Sequence, residues 1–419
     1  MIFKPFAAYR PPSDLASKVI SHPYDVIDSD EARALAEGNP YSILHVNKPE
    51  IDLPVETHLY SDEVYAKGRE NLEKFISEGY LQKDPQSCYY IYSQQLGDHV
   101  QYGVVGVTSV HEYGSGKIKI HENTRQAKED DRTRMINEQN ANVGPVFLTY
   151  PAQESIDNVV NELIKKVPDM DAVGPDGTLH KAWVVSDAEL MVQLESLFAE
   201  IPAFYIADGH HRAASSARVG KMRYDAAIAA GETVTGNEPF NYFLSVVFPH
   251  NQLKVIDYNR VVKDLNGLSA NEFMEAVKQS FTLSEGQNDE IRPPSRHQFS
   301  LFIEGQWYLM TLKPEVEATL PKDDPVANLD TQILTDLVLN PILNIGDLRK
   351  SDRIDFIGGT RGLKALSDRC SKDCAVAFAL HPVSMEELMA VSDKGQLMPP
   401  KSTWFVPKLM SGCVIRLIE

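Results

Sequence analysis

The chain has 419 residues, of which 43% are hydrophobic and 24% are charged, and its formal net charge is −18. This length favours two or three domains, while the absence of a secretory signal and of an apolar run near ~20 residues favours a cytoplasmic protein without membrane contact. The acidity argues against nucleic acid as a partner, whereas a small anionic ligand needs only a local cluster of donors.

The first hundred residues carry signals for two helices and a hairpin. Asp28 or Ser29, followed by Glu31, is typical of a helix start. Apolar spacing predicts an amphipathic helix over residues 63–78, and two Val- and Tyr-rich runs around Gly97-Asp98 predict a β-hairpin. A proline-fixed segment, SHPYDVI at residues 21–27, precedes these elements.

Asp25 is the chemically interesting residue of SHPYDVI. A rigidly held carboxylate can serve as a general base or bind a metal ion, and an isolated aspartate without a catalytic role is the alternative.

The polar segment HENTRQAKEDDR at residues 121–132 predicts a helix. On that helix, Arg125, Lys128 and Arg132 share one face at spacings of i, i+3 and i+7. Such a row of cations suits a triphosphate, and a solvated face with internal ion pairs is the alternative. The segment begins like a zincin motif, but Arg125 replaces the second histidine, which excludes a metalloprotease site.

The stretch FYIADGHHRAASSARVG at residues 204–220 predicts a buried strand, a sharp turn and a helix that begins near His210. Gly209 permits the turn, and the unpaired N–H groups of the helix start attract an anion. The side chains of His210, His211 and Arg212 add donors at the same end. A polar turn with capping histidines is the alternative.

A second region begins near Gly267 and contains the stretch MPPKSTWFVPK at residues 398–408. Lys401, Ser402 and Thr403 resemble the chemistry of phosphate loops, yet the glycine-rich part is missing, and an exposed loop is the alternative. The four cysteines do not form a disulfide or zinc pattern, and no metal-ligand set is assigned.

Helices and strands are interleaved without regular βαβ order, so we expect an α+β protein with mixed sheets. We expect two regions. Residues 1–265 form a nucleotide-binding core, and residues 266–419 form a smaller α+β region that returns to the site through residues 398–408.

Four motifs together resemble an uncharacterised family, domain of unknown function 1015, whose members are often labelled SpoOJ/ParA/ParB/repB-like or chromosome-partitioning proteins. The motifs are SHPYDVI, HENT with the following Lys and Asp-Arg, ADGHHRAASSA and MPPKST. They extend over nearly the whole chain. ADGHHR is also similar to the phosphate-binding motif of the wider superfamily of ParB, sulfiredoxin and free serine kinases, which implies a ParB/serine-kinase-like core.

The resemblance implies roles for individual residues. In the serine kinases, the Asp of the Asp-Gly-His segment is needed for catalysis, and this role falls on Asp208. Their second catalytic carboxylate is a glutamate in the amino-terminal part, for which Asp25 and Glu122 are the candidates here. Gly209 and the residues after it would hold the nucleotide phosphates.

The sequence therefore suggests a small-molecule kinase that uses ATP or ADP with Mg²⁺ to phosphorylate free L-serine or a similar hydroxyl compound. Cationic side chains on separate segments would neutralise charge in the transition state, namely Arg125, Lys128, Arg132 and Lys401. The alternative is a non-catalytic nucleotide-binding regulator of the ParB type. A homodimer is compatible with both.

Overall fold

The computed structural model describes residues 1–418 and divides the chain into two compact units. The first unit contains Met1–Leu253 and the segment from Pro407 onward, and the second contains Lys254–Val406. The division falls ahead of the expected boundary at residue 265 because the strands that follow Leu253 pair within the second unit. The chain returns to the first unit at Pro407, near the end of the segment 398–408 expected to return.

The strands of the first unit are β1 Phe3–Lys4, β2 Tyr9–Arg10, β3 Gln82–Lys83, β4 Tyr89–Leu96, β5 His99–Ser109, β6 Ile118–Lys119, β7 Ala141–Asn142, β8 Val146–Tyr150, β9 Met170–Val173, β10 Leu179–Val185, β11 Phe204–Asp208 and β12 Tyr242–Pro249. Its helices are α1 Ala16–Val19, α2 Ser29–Ala36, α3 Leu44–Asn47, α4 Asp62–Ser77, α5 Val110–Gly114, α6 Gln126–Gln139, α7 Glu154–Leu163, α8 Ala188–Ala199 and α9 His210–Ala229.

Nine strands of this unit form one sheet in the order β6-β11-β8-β12-β5-β4-β10-β9, with β1 beside β5. The pairs β6–β11 and β8–β12 are parallel, whereas the other pairs are antiparallel. The mixed sheet with flanking helices confirms the α+β class.

The strands of the second unit are β13 Lys254–Ile256, β14 Tyr258–Val262, β15 Phe281–Leu283, β16 Gln298–Ile303, β17 Gln306–Leu312, β18 Ile354–Gly358, β19 Val376–Leu380 and β20 Trp404–Val406. Its helices are α10 Ala270–Val277, α11 Pro314–Glu317, α12 Asp330–Leu334, α13 Lys364–Lys372 and α14 Met385–Asp393. Six strands form an antiparallel sheet in the order β15-β17-β16-β19-β14-β18. The last strand of the chain, β21 Arg416–Leu417, pairs with β7 in the first unit.

Local chemistry explains several of these elements. The β4–β5 hairpin turns at Gly97, whose φ of 59° suits a two-residue loop. Asp28 caps α2 by accepting from the Glu31 backbone N–H while the Glu31 carboxylate accepts from the Asp28 N–H. The predicted amphipathic helix is α4, which buries Val64, Leu72 and Phe75.

The core of the first unit fixes the strand that leads to the site. Phe204 and Ile206 lie two residues apart on β11, so their side chains point to the same face of the sheet. There they pack in a cluster of buried side chains that includes Leu148 and Phe198. Burial of each such side chain contributes about 1.5–3 kcal/mol, so β11 holds its end rigidly. Among residues 1–418, no helix is both long and apolar enough to cross a membrane.

Candidate functional site

The candidate site lies where β11 ends and α9 begins. A register shift between Ile206 and Asp208 marks a β-bulge at this end of β11, and bulges of this kind re-aim the side chain that follows. Gly209 then has φ 93°, and α9 starts at His210. A Cβ on Gly209 would lie 3.2 Å from Arg212 Nε, so glycine lets the guanidinium lie against the turn.

The amino end of α9 offers backbone donors. Ala213 donates to the Gly209 carbonyl, at 3.0 Å, so the N–H groups of His210, His211 and Arg212 precede the helical hydrogen bonds. These N–H groups and the helix dipole favour an anion. The helix behind them packs closely because Ala213 and Ser215 are fully buried.

Arg212 is the buried cation of this site, with only 6% of its surface exposed. Its guanidinium donates to the Pro145 carbonyl through Nη1 and lies 3.3 Å from Asp25 Oδ2 through Nη2. Burial alone would lower the pKa of Arg212, but Asp25 and Asp208 outweigh it and raise that pKa. Nε is buried and has no hydrogen-bond partner within residues 1–418, which leaves one donor unused.

Asp208 and Lys408 form an ion pair across 200 positions of sequence. Lys408 Nζ lies 2.8 Å from Asp208 Oδ2, and the Gly209 N–H donates to Oδ1 at 2.8 Å. Burial would raise the pKa of Asp208, but Lys408 and Arg212 outweigh it and hold that pKa well below its usual range. Asp208 is therefore a carboxylate at any physiological pH.

The two histidines bind backbone N–H groups of the loop that joins β6 to α6. His210 Nε2 accepts from the His121 N–H at 3.4 Å, and His211 Nε2 accepts from the Arg125 N–H at 3.0 Å. Burial lowers the pKa of both rings, well below the ordinary value for His210. Each ring is thus neutral at pH 7 with its proton on Nδ1, and neither adds a positive charge to the helix start.

The expected row of three cations on one helix is not formed, because α6 begins at Gln126. Arg125 is the residue before the helix and has extended backbone angles of φ −95° and ψ 126°. Its N–H bond to His211 holds this residue in the loop instead of in the first turn. Lys128 is exposed on the first turn of α6.

Arg132, farther along α6, reaches the SHPYDVI segment. Its guanidinium carbon lies 3.9 Å from the centroid of the Tyr24 ring, and Nη2 lies 2.9 Å from Asp131. Tyr24 precedes Asp25, which contacts Arg212. The SHPYDVI segment and the HENTRQAKEDDR segment therefore meet near the amino end of α9, where the ADGHHR motif lies. Glu122 is exposed on the β6–α6 loop.

The remaining predicted residues belong to the second unit. Lys401 is exposed, with Nζ 5.5 Å from the ring centroid of Tyr258. The Ser402 hydroxyl is buried and donates to the Pro399 carbonyl at 2.7 Å, which stabilises the local turn before Thr403. A role for these residues in nucleotide binding stays a prediction.

Sequence reasoning missed Lys408 and Tyr24. Lys408 is the last residue of the stretch MPPKSTWFVPK, and the resemblance to phosphate loops drew attention to Lys401 instead. The signal available for Lys408 was only a lysine after Val-Pro, which is common in exposed loops. Tyr24 had a stronger signal, because an aromatic ring beside a proline-fixed aspartate can stack on a cation.

The carboxylates of the site do not form a complete metal-binding set by themselves. Over residues 1–418, no group of three or more His, Cys, Asp or Glu side chains is arranged to hold a metal ion. Mg²⁺ needs fewer protein ligands than other metals do, because phosphate oxygens and water fill most of its positions. The two carboxylates of the site, Asp25 and Asp208, both interact with Arg212.

Comparisons with known proteins identify a family and several solved structures. The model of the family described as "Protein of unknown function (DUF1015)" matches residues 3–332. A variant of a free serine kinase in complex with AMP is 15% identical, with 72% of this chain and 86% of that chain covered and a TM-score of 0.35. No curated protein matches the sequence.

Two further solved structures show similar coverage. A conserved hypothetical protein from Pyrococcus furiosus is 16% identical, with 72% of this chain and 91% of that chain covered and a TM-score of 0.34. SbnI with a C-terminal truncation, from Staphylococcus aureus, is 13% identical, with 73% and 85% covered and a TM-score of 0.37.

Proposed function

Because the chain belongs to the DUF1015 family of proteins of unknown function, its activity has to be inferred from its site, and we propose that the first unit is a phosphotransferase. It transfers a phosphoryl group from ATP or ADP to free L-serine or a similar small hydroxyl compound. One observation carries the proposal. Arg212, Asp25, Asp208 and Lys408, which are distant in sequence, meet at the amino end of α9.

The phosphate end of the nucleotide binds at the start of α9. Three backbone N–H groups precede the helical hydrogen bonds there, and Arg212 Nε is an unused donor beside them. A guanidinium that is fixed by Pro145 and Asp25 loses little freedom when it binds an anion. The neutral rings of His210 and His211 position the β6–α6 loop and do not supply charge.

The two carboxylates take different roles. The depressed pKa of Asp208 makes it a poor proton acceptor, so Asp208 orients Lys408 and binds Mg²⁺. Asp25 is exposed and contacts the same guanidinium, which suits the general base. Glu122 on the β6–α6 loop is the other candidate base. When bound, Mg²⁺ neutralises charge on the transferred phosphate.

In the reaction, the acceptor hydroxyl oxygen attacks the terminal phosphorus of the nucleotide. A new O–P bond forms, the P–O bond to the leaving phosphate breaks, and the hydroxyl proton passes to Asp25. Arg212 and Lys408 lie where negative charge builds on the phosphate oxygens, and Arg132 and Lys128 on α6 add positive charge nearby. Positioning and electrostatics supply most of the catalysis in such a transfer.

The test is a product assay on the full chain. Purified protein is incubated with Mg²⁺, either ATP or ADP, and single amino acids or small alcohols, and products are followed by ³¹P NMR. We expect a phosphomonoester with L-serine or a close analogue, and about 100-fold slower turnover for Arg212→Lys because lysine cannot reproduce the fork of donors.

Arg134→Ala is the matched control, since it removes an arginine of the same unit whose ion pair with Asp62 is at the surface. Turnover by this variant should equal that of the wild type. Failure of the wild type to form a phosphorylated product with either nucleotide would overturn the proposal. Nucleotide binding without any turnover would favour the regulator of the ParB type.

A further inference from the structure

A cavity of about 800 Å³ lies beside α9 in the first unit. The helix contributes residues spaced three or four apart, including Ala214, Ala217 and Lys221, so one face of α9 forms a wall. The lining also includes His111 and Tyr113 of α5. This volume is in the range of pockets that bind small molecules.

The cavity begins near the phosphate-binding end of α9. Ala214 follows Arg212 by two residues, which is about 3 Å along the helix axis. Thr124 and Glu129 also line the cavity, and Thr124 precedes Arg125, whose N–H binds His211 at the helix start. The β6–α6 loop therefore borders both the cavity and the helix end.

We propose that this cavity binds the nucleoside part of the nucleotide whose phosphates lie at the amino end of α9. The inference rests on the proposed function and names the site of the base and ribose. One molecule spans both places, since its phosphates reach the helix start while its base lies along the side of the helix.

The lining of the cavity suits a nucleobase. Three aromatic residues, His111, Tyr113 and Tyr224, supply ring surface for stacking, and Ala217 is small enough to leave space for it. Any of the nucleobases can stack on an aromatic side chain, because every base has a π-face.

Polar groups of the lining suit the edge of the base. His111 Nε2 lies 3.2 Å from Asn241 Oδ1, an oxygen that can only accept, so Nε2 donates there and Nδ1 is the ring nitrogen left for a ligand. Arg218 pairs with Glu129 at 3.3 Å, which places a donor and an acceptor side by side in the cavity wall. This arrangement fits the alternating donors and acceptors of a base or ribose.

The experiment separates the nucleoside end from the phosphate end. The full chain is titrated by calorimetry with the four common ribonucleosides, with ATP and with inorganic tripolyphosphate. Ala217→Trp fills the cavity, and Ala226→Trp makes the same change at an exposed position of α9. Tyr113→Ala is a second cavity variant that adds no bulk.

We expect the wild type to bind at least one nucleoside. Ala217→Trp and Tyr113→Ala should weaken nucleoside and ATP binding at least tenfold and change tripolyphosphate binding less than twofold. Ala226→Trp should behave like the wild type. Unchanged nucleoside affinity in both cavity variants would overturn the inference, as would tripolyphosphate binding without nucleoside binding in the wild type.

A separate result tests the proposed function, so the two proposals can fail independently of each other. Loss of tripolyphosphate binding in Arg212→Lys supports the phosphate site whatever the cavity binds. Nucleoside binding that is sensitive to Ala217→Trp, in a protein that does not bind tripolyphosphate, supports the cavity assignment and overturns the phosphate site.

Discussion

Two aspartates, one in each unit, show what burial does to a carboxylate with and without a cation beside it. Asp208 at the end of β11 pairs with Lys408 and interacts with Arg212, and its pKa is held well below the usual range despite burial. Asp330 at the start of α12 is 4% exposed, and burial raises its pKa to about 7. Counter-charge, more than burial, decides whether the carboxylate stays ionised.

Two arginines repeat the contrast. Arg212 contacts a carboxylate, and its pKa is raised, whereas burial lowers the pKa of Arg260 to about 9. Arg260 is fully buried and donates to the carbonyl oxygens of Tyr258 and Pro400. The α9 start of the first unit thus holds fixed charges of both signs, as a phosphate site requires, whereas Asp330 and Arg260 of the second unit have no counter-charge among residues 1–418 that offsets their burial.

We expect the largest effect when the cation that pairs with Asp208 is removed, because Asp208 then resembles the uncompensated Asp330. In Lys408→Met, burial of Asp208 is no longer offset by the ammonium, so we expect the pKa of Asp208 to rise toward its ordinary value. Leaving one partner of the pair uncompensated should lower the free energy of unfolding at pH 7 by about 3 kcal/mol. Turnover should fall about 100-fold because a charge that faces the phosphates is lost.

Carbon-detected NMR titration of Asp208 and urea denaturation measure these effects. In the wild type, a depressed pKa stabilises the fold above the unfolded value of about 4, and this stability is lost as the pH falls below it. In the Lys408→Met variant, this loss of stability at low pH should be absent. Lys165→Met, which removes an exposed lysine paired with Glu162, is the control. An unchanged Asp208 pKa in Lys408→Met would refute the role given to the cation.

A milder change displaces Arg212 without removing it. Gly209→Ala and Gly38→Ala both place a side chain at positive φ, 93° and 70°, and we expect each to destabilise by about 1–2 kcal/mol. Only Gly209 has a neighbour there, since its Cβ would lie 3.2 Å from Arg212 Nε while Gly38 faces open space.

Nucleotide affinity should therefore fall about tenfold in Gly209→Ala and stay unchanged in Gly38→Ala. Calorimetric titration with ATP compares the two variants, and thermal unfolding checks that their backbone strain is similar. Equal affinities would mean that the position of the guanidinium does not matter for binding.

The smallest effect on turnover is expected at Asp330 of the second unit, whose Oδ1 accepts from the His297 N–H at 2.8 Å and whose Oδ2 has no hydrogen-bond partner within residues 1–418. A raised pKa means that the folded protein keeps a proton that the unfolded chain has lost. Stability should therefore decline as the pH rises from about 4 to about 7 and level off above that, by up to about 1.4 kcal/mol per unit of pKa difference.

Asp330→Asn removes this proton linkage, so the decline in the free energy of unfolding between pH 5 and 7 should become smaller by about 2 kcal/mol. Urea denaturation at a series of pH values measures the slope. Asp336→Asn, at an exposed aspartate of the same unit, should keep the wild-type slope. A slope unaffected by Asp330→Asn would show that Asp330 is ionised in the folded state despite its burial.

Much of the site's local structure follows from short stretches of sequence. Residues 204–220 form a strand, a glycine turn and a helix start. These depend on the conformational freedom of Gly209 and on the small residues that follow it, so a short stretch of sequence is enough to predict them. The exception was Arg125, expected in the helix and found before it. Helical spacing gave no sign of this, because the group that holds the Arg125 N–H is His211, 86 positions away.

By itself, the sequence determined the turn at Gly209, a helix start at Asp28 or Ser29, the hairpin at Gly97 and the class of the fold, since the signals for these lie within short stretches of the chain. Only the tertiary structure decided that Lys408 pairs with Asp208 and that Asp25 reaches Arg212. Such pairs depend on strand order in the sheet and on where the chain returns after the second unit. The energy of many distant contacts fixes both, and no local pattern encodes them.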